Sequence, residues 1–467
     1  MKANFSLFTF KSSLNSMFPS QIFREYDIRG LAETELTNEV VHGIGQAFGT
    51  VLLEEGKSKM GVGRDLRPSS DRILKALIDG LTSTGLEVLN LGLIPTPLLY
   101  FSVSYLHLDA GISITGSHNP PEYNGFKLHL ADRPFYGEEI QLLKTLIEKG
   151  SFAKGQGKVS EGKIIDAYKD YVVKIFNFKR KLKVVIDSGH GMAGIVAPDL
   201  VRRLGHEVIE LYSNLDPTFP DHHPDPSDLA NMKDLQKKVL ETKADIGVAF
   251  DGDADRIGVV DEKGQIIFGD KILLLYARSI LKRKPGATVI GDVKCSKVIY
   301  DDIVKRGGKP IMWKTGHSLI KAKIKETHAE LAGEMSGHMF FVDRWFGFDD
   351  AIYAACRMLE VLDEDRRPLS QHLTDTPSLV STPEIRVDCP DDKKFDLVKR
   401  AVEDFKKQYR VVDIDGARVE FEDGWGLVRA SNTQPVLVMR FEATSEKRLN
   451  EIRDIIESKI KELSRVS

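Results

Sequence analysis

The chain has 467 residues, of which 42% are hydrophobic and 29% are charged, and its formal net charge is −3. That length exceeds what one hydrophobic core usually organises, so three or four domains are expected. The balanced charge excludes a field that would attract nucleic acid or an anionic membrane surface, and no apolar run approaches the ~20 residues of a membrane span.

The first residues do not resemble a targeting signal. The hydrophobic run at 5–10 is interrupted by hydroxyl side chains, which a signal-peptide core does not tolerate well. We therefore expect residues 1–17 to be a disordered tail, or the true start to be Met17.

Three cysteines, Cys295, Cys356 and Cys389, are far apart and lack a C-x-x-C spacing. Their number and spacing argue against both a disulfide framework and a zinc site. Reduced thiols of this kind predict a cytoplasmic protein.

One pattern occurs three times along the chain: a β-prone run, a short polar loop, an amphipathic helix that ends near glycine, and a second β-prone run. The copies begin at Lys59, Lys183 and Ala287, and their helices are predicted to end at Thr82, Arg203 and Lys305. Strand, helix and strand in this order are typical of parallel α/β units. The pattern therefore predicts three related α/β domains.

A β-prone run before Gly116 stops in the turn-forming sequence Gly116-Ser117-His118-Asn119-Pro120. Ser117 is the candidate nucleophile, and the flanking glycine and proline favour a turn that would expose its side chain. An unactivated serine needs a base or a metal ion nearby. Alternatively, Ser117 and Asn119 only cap a turn.

Three aspartates, Asp251, Asp253 and Asp255, alternate between two β-prone runs. Alternation allows the three carboxylates to converge. An EF-hand is excluded because Arg256 stands where that loop needs glycine and because the flanks are strands. Clustered acids beside buried strands are costly without a cation, so a metal site is favoured over a surface acidic loop. With phosphate on Ser117 they would form a site of hard oxygen ligands for Mg²⁺.

Two later loops carry groups suited to sugars and phosphate. In GEMSGH at 333–338, the glycines allow a close approach of the backbone, and Glu334 and Ser336 suit sugar hydroxyls. In RASNT at 429–433, a guanidinium, hydroxyls, an amide and backbone N–H groups suit a phosphate. Taken alone, the first string is better explained as an exposed loop and the second as a β-turn.

The end of the chain has a different order of elements. A strand at 383–388 precedes a helix at 393–409, strand-like runs at 411–421, 427–430 and 436–442, and a last helix from Ser445, which is an α+β order. The predicted fold class is α/β, with three related mixed-sheet α/β domains followed by a smaller α+β domain. The predicted boundaries are 18–162, 163–265, 266–377 and 378–467.

Five stretches in order resemble the α-D-phosphohexomutase family, in its bacterial phosphomannomutase/phosphoglucomutase branch. The stretches are FREYDIRG at 23–30, TGSHNP at 115–120, DGDADR at 251–256, GEMSGH at 333–338 and RASNTQP at 429–435. The resemblance implies four domains around a central cleft, with one motif from each domain.

The resemblance also implies a mechanism. Ser117 would carry a phosphate, and one Mg²⁺ would be held between that phosphate and Asp251, Asp253 and Asp255. Phosphate would pass reversibly between C1 and C6 of glucose or mannose phosphates through a 1,6-bisphosphate, which would also act as activator. The implied partners are small hexose phosphates, without nucleic acid or membrane, and the protein would be a monomer.

Several cations and histidines are assigned by the resemblance to the reacting end. Arg29 and Lys127 would lie beside the phosphoserine, and His118 and His338 are candidate proton carriers. The identity of the base stays open, and His118 is the better candidate for orienting Ser117. Arg256 either balances the carboxylates and touches phosphate, or only pairs with a neighbour such as Asp27.

The resemblance assigns further residues to the substrate. The sugar hydroxyls would be bound by Glu334 and Ser336. The distal phosphate would be bound by Arg429, Ser431, Asn432 and Thr433, with Tyr26, Lys294 and His317. Lys294 and His317 could alternatively be ordinary surface residues.

Three rival functions are considered. Phosphoglucosamine mutase shares the chemistry, but that subgroup carries glutamine where this chain has Met335. A Mg²⁺ phosphatase would use Asp251 as nucleophile and leave Ser117 idle. A catalytically silent sugar-phosphate sensor would have no need of both Ser117 and the three aspartates.

Overall fold

The computed structural model describes residues 19–432 and 434–465. The chain divides into two compact units, Met1–Ile164 and Ile165–Ser467, which are described separately below. The expected tail at 1–17 lies outside the described residues.

The first unit is built on a six-stranded mixed sheet. Its strands are β1 (Ile28–Leu31), β2 (Lys59–Arg64), β3 (Glu87–Leu93), β4 (Ala110–Ile114), β5 (Tyr123–Leu130) and β6 (Lys158–Glu161). Its helices are α1 (Asn38–Glu54), α2 (Ser70–Thr82), α3 (Thr96–Tyr105) and α4 (Glu138–Lys149).

In the strand order β1-β5-β4-β2-β3-β6, strand β4 lies between β5 and β2. Strand β4 runs parallel to β2 and antiparallel to β5, so the loop after Ile114 lies beside the start of β5. In this register Lys127 faces Ser113 across β4 and β5, and Arg29 pairs with Gly125 across β1 and β5. The sheet therefore brings Arg29 and Lys127 to the serine loop.

The second unit begins with a five-stranded mixed sheet in the order β11-β10-β9-β7-β8. Its strands are β7 (Lys183–Asp187), β8 (Glu207–Leu211), β9 (Ile246–Phe250), β10 (Ile257–Asp261) and β11 (Ile266–Ile267). The accompanying helices are α5 (Ile165–Ile175), α6 (Ala197–Arg203) and α7 (Lys233–Thr242).

A four-stranded mixed sheet follows, in the order β13-β12-β14-β15. Its strands are β12 (Thr288–Asp292), β13 (Lys309–Trp313), β14 (Leu331–Gly333) and β15 (Met339–Phe341). The accompanying helices are α8 (Gly269–Arg283), α9 (Lys297–Lys305), α10 (His317–Thr327) and α11 (Ala351–Glu364).

The last sheet is antiparallel, with β17 and β16 both paired to β21 and the order β21-β20-β19-β18 beyond it. Its strands are β16 (Val380–Ser381), β17 (Ile385–Asp388), β18 (Arg410–Val412), β19 (Ala417–Phe421), β20 (Gly424–Ala430) and β21 (Val436–Ala443). Helices α12 (Asp391–Phe405) and α13 (Glu446–Ser464) pack against it.

The predicted fold class is confirmed: three mixed α/β sheets precede an antiparallel α+β sheet. Two predicted elements differ. The helix predicted at 393–409 ends at Phe405, because the amides of Lys407 and Gln408 bond three residues back and close the helix in a tight turn. The run predicted at 411–421 is two strands, separated by a turn that Gly416 completes with a φ of +87°.

Within residues 19–432 and 434–465, no helix combines the length and the hydropathy that crossing a membrane requires. The three cysteines are buried and free.

Candidate active site

The serine loop follows directly from β4 in the first unit. The backbone amide of Ser117 donates to Thr115 Oγ1 at 2.8 Å, and Ser117 has a positive φ of 49°. The residue is only 3% exposed. The expected turn is therefore present, but the expectation that it exposes the Ser117 side chain is wrong, because Ser117 is buried. The backbone of the loop closes around a buried arginine.

That arginine is Arg67, which the sequence interpretation missed. Its guanidinium donates to the carbonyl oxygens of Ser117, Asn119, Pro120 and Tyr123 at 2.5 to 3.0 Å, and to Asp65 at 3.2 Å. Gly116 allows this approach, since an added Cβ there would lie 2.3 Å from the guanidinium carbon. The backbone of the serine loop is thus shaped around one buried cation.

Arg29 also contacts the serine loop. Its Nη1 donates to Asn119 Oδ1 at 3.0 Å, and its Nη2 donates to Asp27 at 2.6 Å. Lys127 is buried in β5, His118 is half-buried in the loop, and Tyr26 is buried just before β1. The proposed alternative partner of Arg256, Asp27, is therefore the partner of Arg29.

The acidic motif forms the loop between β9 and β10 in the second unit. Asp251, Asp253 and Asp255 are fully buried, and one oxygen from each lies within 4.8 Å of the others. Asp251 Oδ1 also accepts the backbone amides of Asp255 and Arg256 at 3.0 and 3.1 Å, which curls the loop around that carboxylate. Three converging carboxylates are the all-oxygen ligand set that Mg²⁺ prefers, so these residues fit that ion.

Arg256 lies beside His338 in the same unit. Arg256 Nε donates to His338 Nε2 at 3.0 Å, and the two residues form an isolated antiparallel bridge. His338 Nδ1 lies 3.2 Å from Asp349 Oδ2 and 3.5 Å from Asp255. Because a guanidinium can only donate, Nε2 is the acceptor, and the imidazole proton is on Nδ1, facing the carboxylates. In this arrangement Arg256 occupies the nitrogen that a proton carrier would use.

Glu334 and Ser336 occupy the tight turn between β14 and β15. Glu334 is buried and accepts the backbone amide of Gly316 at 2.5 Å. Burial raises the pKa of Glu334, although His338 and Lys294 oppose that rise. Ser336 is half-buried in the turn, which Gly337 completes with a φ of +97°. The two side chains that were predicted to bind sugar thus lie on one turn.

The predicted phosphate loop follows β20 in the last sheet. Arg429 is buried, and its Nε donates to Asp415 Oδ2 at 2.9 Å. Ser431 is buried, with its Oγ accepting the amide of Gln434 at 3.1 Å, and Asn432 is half-buried. Thr433 lies outside the described residues.

Lys294 follows β12, and His317 begins α10. Lys294 is buried, so the alternative that it is a surface residue is wrong: its Nζ contacts Glu384 at 3.1 Å and Asp292 at 3.7 Å. The charge of Lys294 lowers the pKa of Glu384 to about 2, despite burial. His317 is half-buried at the start of α10, and its ring centroid lies 5.9 Å from that of His338.

Sequence reasoning missed Arg67, Asp349 and Asp415. Arg67 follows β2 in a loop rich in charge, and Asp349 precedes α11 in a run of two aspartates, so polar residues at strand ends and helix starts were the available signal. Asp415 stands next to Gly416 in what looks like an ordinary turn. That signal does not indicate which side chains or loops these residues contact.

Four domain families match consecutive parts of this chain. Their descriptions are Phosphoglucomutase/phosphomannomutase, alpha/beta/alpha domain I at residues 20–154, domain II at 166–264, domain III at 268–379, and the C-terminal domain at 384–459. Together they cover most of the chain.

Similar proteins match over almost their full lengths. A phosphomannomutase/phosphoglucomutase of Pseudomonas aeruginosa is 47% identical over 444 residues, which cover 95% of this chain and 96% of that relative. A phosphoglucomutase of Neisseria gonorrhoeae is 45% identical over 438 residues, covering 93% and 95%. The crystal structure of a phosphoglucomutase/phosphomannomutase family protein from Burkholderia thailandensis has a TM-score of 0.91 and 43% identity, covering 96% of this chain and 98% of that chain.

Proposed function

The chain belongs to the phosphoglucomutase/phosphomannomutase family and is a hexose-phosphate mutase, and we propose that it interconverts the 1- and 6-phosphates of glucose and mannose through phosphate carried on Ser117. The observation that carries this proposal is the cluster of three buried carboxylates at Asp251, Asp253 and Asp255. Three converging carboxylates in one buried loop suit a divalent cation, and Mg²⁺ is the usual partner of phosphoryl transfer.

Ser117 both gives and receives the phosphoryl group. In the first half-reaction the bond between phosphorus and Ser117 Oγ breaks, a bond to the sugar hydroxyl oxygen forms, and the hydroxyl proton passes to a base. The bisphosphate then turns end over end, and its other phosphoryl group returns to Ser117 Oγ as the proton is restored to the sugar oxygen. Each half-reaction reverses the other, so the enzyme ends in its starting state.

Residues of the first unit prepare Ser117 for this role. Arg67 fixes the carbonyl groups of the loop, and the contact between Arg29 and Asn119 places a cation on the same loop. Lys127, buried in β5, adds a second cation beside the loop. Such positive groups stabilise the phosphate and the sugar oxygen while charge develops on them. His118 would orient Ser117.

Residues of the second unit would hold the ion and bind the phosphate. One Mg²⁺ per site would be held by the three aspartates and by phosphate on Ser117, and it would neutralise charge on the transferred phosphoryl group. Arg256 would contact that phosphate with its remaining guanidinium nitrogens while its Nε stays on His338. A role for His338 in proton transfer then requires Arg256 to leave Nε2.

Recognition of the sugar depends on Glu334 and Ser336, which we propose bind the O3 and O4 hydroxyls. These two positions roughly exchange places when the sugar turns over, and C2 is left without a contact. Glucose and mannose differ only at C2, so both would be accepted. The distal phosphate would be held by a set of residues from several parts of the chain: Arg429, Ser431, Asn432, Thr433, Tyr26, Lys294 and His317.

Several further features belong to the same proposal. Hexose 1,6-bisphosphate would act as activator by restoring phosphate to Ser117 after it is lost. The protein would act as a monomer. It would act in the cytoplasm, whose reducing conditions suit three free thiols. Domain boundaries at 18–162, 163–265, 266–377 and 378–467 are supported by the division of the strands among four sheets.

Phosphoglucosamine mutase is the alternative function. It would use the same serine and carboxylates, and the two functions would differ in the turn between β14 and β15 that is proposed to bind the sugar. Met335, between Glu334 and Ser336, disfavours it, because the family resemblance implies glutamine at this position in phosphoglucosamine mutases.

Two measurements test the proposal. A coupled assay should show turnover of both glucose 1-phosphate and mannose 1-phosphate, with Mg²⁺ and a trace of glucose 1,6-bisphosphate. Intact-protein mass should show one phosphate, about 80 Da, that is absent from Ser117→Ala, and this variant should be slower by several orders of magnitude. Near-parental turnover by Ser117→Ala would disprove the phosphoserine mechanism.

A further inference from the structure

We infer that Asp415 is a positioning residue, which aims the Arg429 guanidinium at the distal phosphate and ties it to the turn that holds Glu334. The inference rests on the proposed function. The supporting observation is that one carboxylate oxygen of Asp415 accepts two hydrogen bonds from distant parts of the chain. Asp415 Oδ2 accepts Arg429 Nε at 2.9 Å and the backbone amide of Thr315 at 3.0 Å.

The contact with Arg429 fixes a direction as well as a charge. A guanidinium is planar and rigid, so an acceptor on Nε sets the plane in which both terminal nitrogens lie. The side chains of Arg429 and Asp415 are only 6% and 13% exposed, so water does not offer a ready substitute partner. A phosphate that approaches the terminal nitrogens therefore meets a guanidinium already oriented for a bidentate contact.

The turn that carries Asp415 is packed against Arg429 itself. Gly416 has a φ of +87°, and an added Cβ at this position would lie 2.8 Å from Arg429 Cα and 2.4 Å from the carbonyl oxygen of Val428. The backbone of the turn therefore packs directly against β20, with no room for a side chain at Gly416. Asp415 extends from this closely packed turn to Arg429.

The contact with Thr315 connects this pair to the sugar-binding turn. The amide of Thr315 donates to Asp415, and the next amide, of Gly316, donates to Glu334 Oε1 at 2.5 Å. Two successive N–H groups therefore connect Asp415 to Glu334, the residue proposed to bind sugar hydroxyls. Thr315 Oγ1 also donates to Asp292, which lies 3.7 Å from Lys294 Nζ.

This arrangement predicts an effect on binding rather than on chemistry. Asp415 acts through Arg429 and touches neither the reacting phosphoryl group nor Ser117. Its loss should weaken the hold on the distal phosphate of both the 1-phosphate and the 6-phosphate. The chemical step should change little.

The experiment measures the KM, kcat and calorimetric Kd of glucose 1-phosphate for the parent, Asp415→Ala, Asp415→Asn, Arg429→Ala and the double variant. Asp415→Ala should raise KM and Kd about ten- to a hundredfold with kcat within about threefold. Asp415→Asn, which keeps an uncharged acceptor, should lie between Asp415→Ala and the parent. In the Arg429→Ala background, Asp415→Ala should add no more than about twofold, because the residue acts through Arg429.

Asp413 provides the matched control in the same turn. Its carboxylate pairs with Lys406, away from Arg429, and is about half exposed. Asp413→Ala should leave KM and Kd at parental values. Thermal unfolding of each variant establishes that the binding values come from folded protein, and Asp415→Asn serves if Asp415→Ala does not fold.

The possible results distinguish failure of the role proposed for Asp415 from failure of the proposed function. Parental KM and Kd in folded Asp415→Ala would overturn the inference. If the alanine variant does not fold, parental values in folded Asp415→Asn would do the same. Additive effects of Asp415→Ala and Arg429→Ala would also overturn it. An equal loss in Asp413→Ala would also overturn it, since any disturbance of the turn would then suffice. Absence of turnover by the parent would refute the proposed function, whereas the Kd values would still decide the role of Asp415.

Discussion

Replacing Arg67, the buried arginine inside the serine loop, by methionine should loosen that loop. Methionine keeps much of the side-chain length but removes every donor. The parent guanidinium donates to four carbonyl oxygens of the loop and to Asp65, all within 2.5 to 3.2 Å, and the Arg67 side chain is 1% exposed. The substitution would leave a buried carboxylate without its cation.

The expected loss in free energy for opening of the loop follows from that buried charge. Removing one partner of a buried ion pair typically costs about 3 to 5 kcal/mol, and the carbonyl groups are satisfied only partly by entering water. Asp65 is also held by Ser70 Oγ at 2.7 Å and by the amide of Gly116 at 3.1 Å, which offsets some of the loss. We therefore expect the lower part of that range, about 3 kcal/mol, for opening of the loop.

Hydrogen exchange followed by mass spectrometry measures this opening directly. Because the chain has several domains, one global unfolding free energy is not well defined, and exchange of the peptide that contains residues 114–119 is the better observable. A loss of about 3 kcal/mol should speed its exchange by about a hundredfold. Turnover of glucose 1-phosphate should fall at least tenfold, because Ser117 is no longer held in one geometry.

Arg64→Met, at the end of β2 and three residues before Arg67, is the matched control. Arg64 donates to the Asp65 carbonyl oxygen and pairs with Asp71, whose side chain is 77% exposed, so its loss should cost less than about 1 kcal/mol. Exchange of the 114–119 peptide in Arg67→Met at the rate of the parent or of Arg64→Met would refute the reasoning.

Three other predictions concern the metal, the sugar and pH. Asp253→Asn should weaken Mg²⁺ binding, measured by calorimetry, together with turnover, since an amide cannot replace the carboxylate charge; unchanged Mg²⁺ affinity would assign the aspartates another role. Glu334→Gln should lower kcat/KM for glucose 1-phosphate and mannose 1-phosphate alike, with the parent preferring neither by more than about 1 to 2 kcal/mol; a thousandfold preference would mean that C2 is read. Burial raises the pKa of Asp350 from 3.8 to about 7, so the folded protein holds a proton that the unfolded chain releases, and this group costs stability progressively as pH rises from about 4 to 7. The free energy of unfolding of Asp350→Asn, measured with urea, should therefore exceed that of the parent increasingly as pH rises, by up to about 4 kcal/mol. A difference that does not depend on pH would contradict the raised pKa.

The sequence by itself determined the order of elements and the candidate chemistry. Strands and helices were predicted where hydrophobic periodicity is continuous, as at β4, β9 and α2, because such patterns depend on neighbours within a few residues. The alternation of Asp251, Asp253 and Asp255 was enough to predict that three carboxylates converge, since the side chains that meet belong to one short loop. The errors at the end of α12 and between β18 and β19 fell where a turn depends on one glycine or on tight bonds at a helix end.

Only the tertiary structure decided which groups hold those residues in place. Arg67 reaches Ser117 across 50 positions of sequence, Asp415 reaches Thr315 across 100, and Arg256 reaches His338 across 82. Such contacts arise from strand order and register, which no local pattern specifies. The same dependence explains why Ser117 was expected to be exposed and is buried. Turn residues predict that the chain bends at Gly116, but whether the bend faces water or a buried guanidinium is set by what the sheet places behind it.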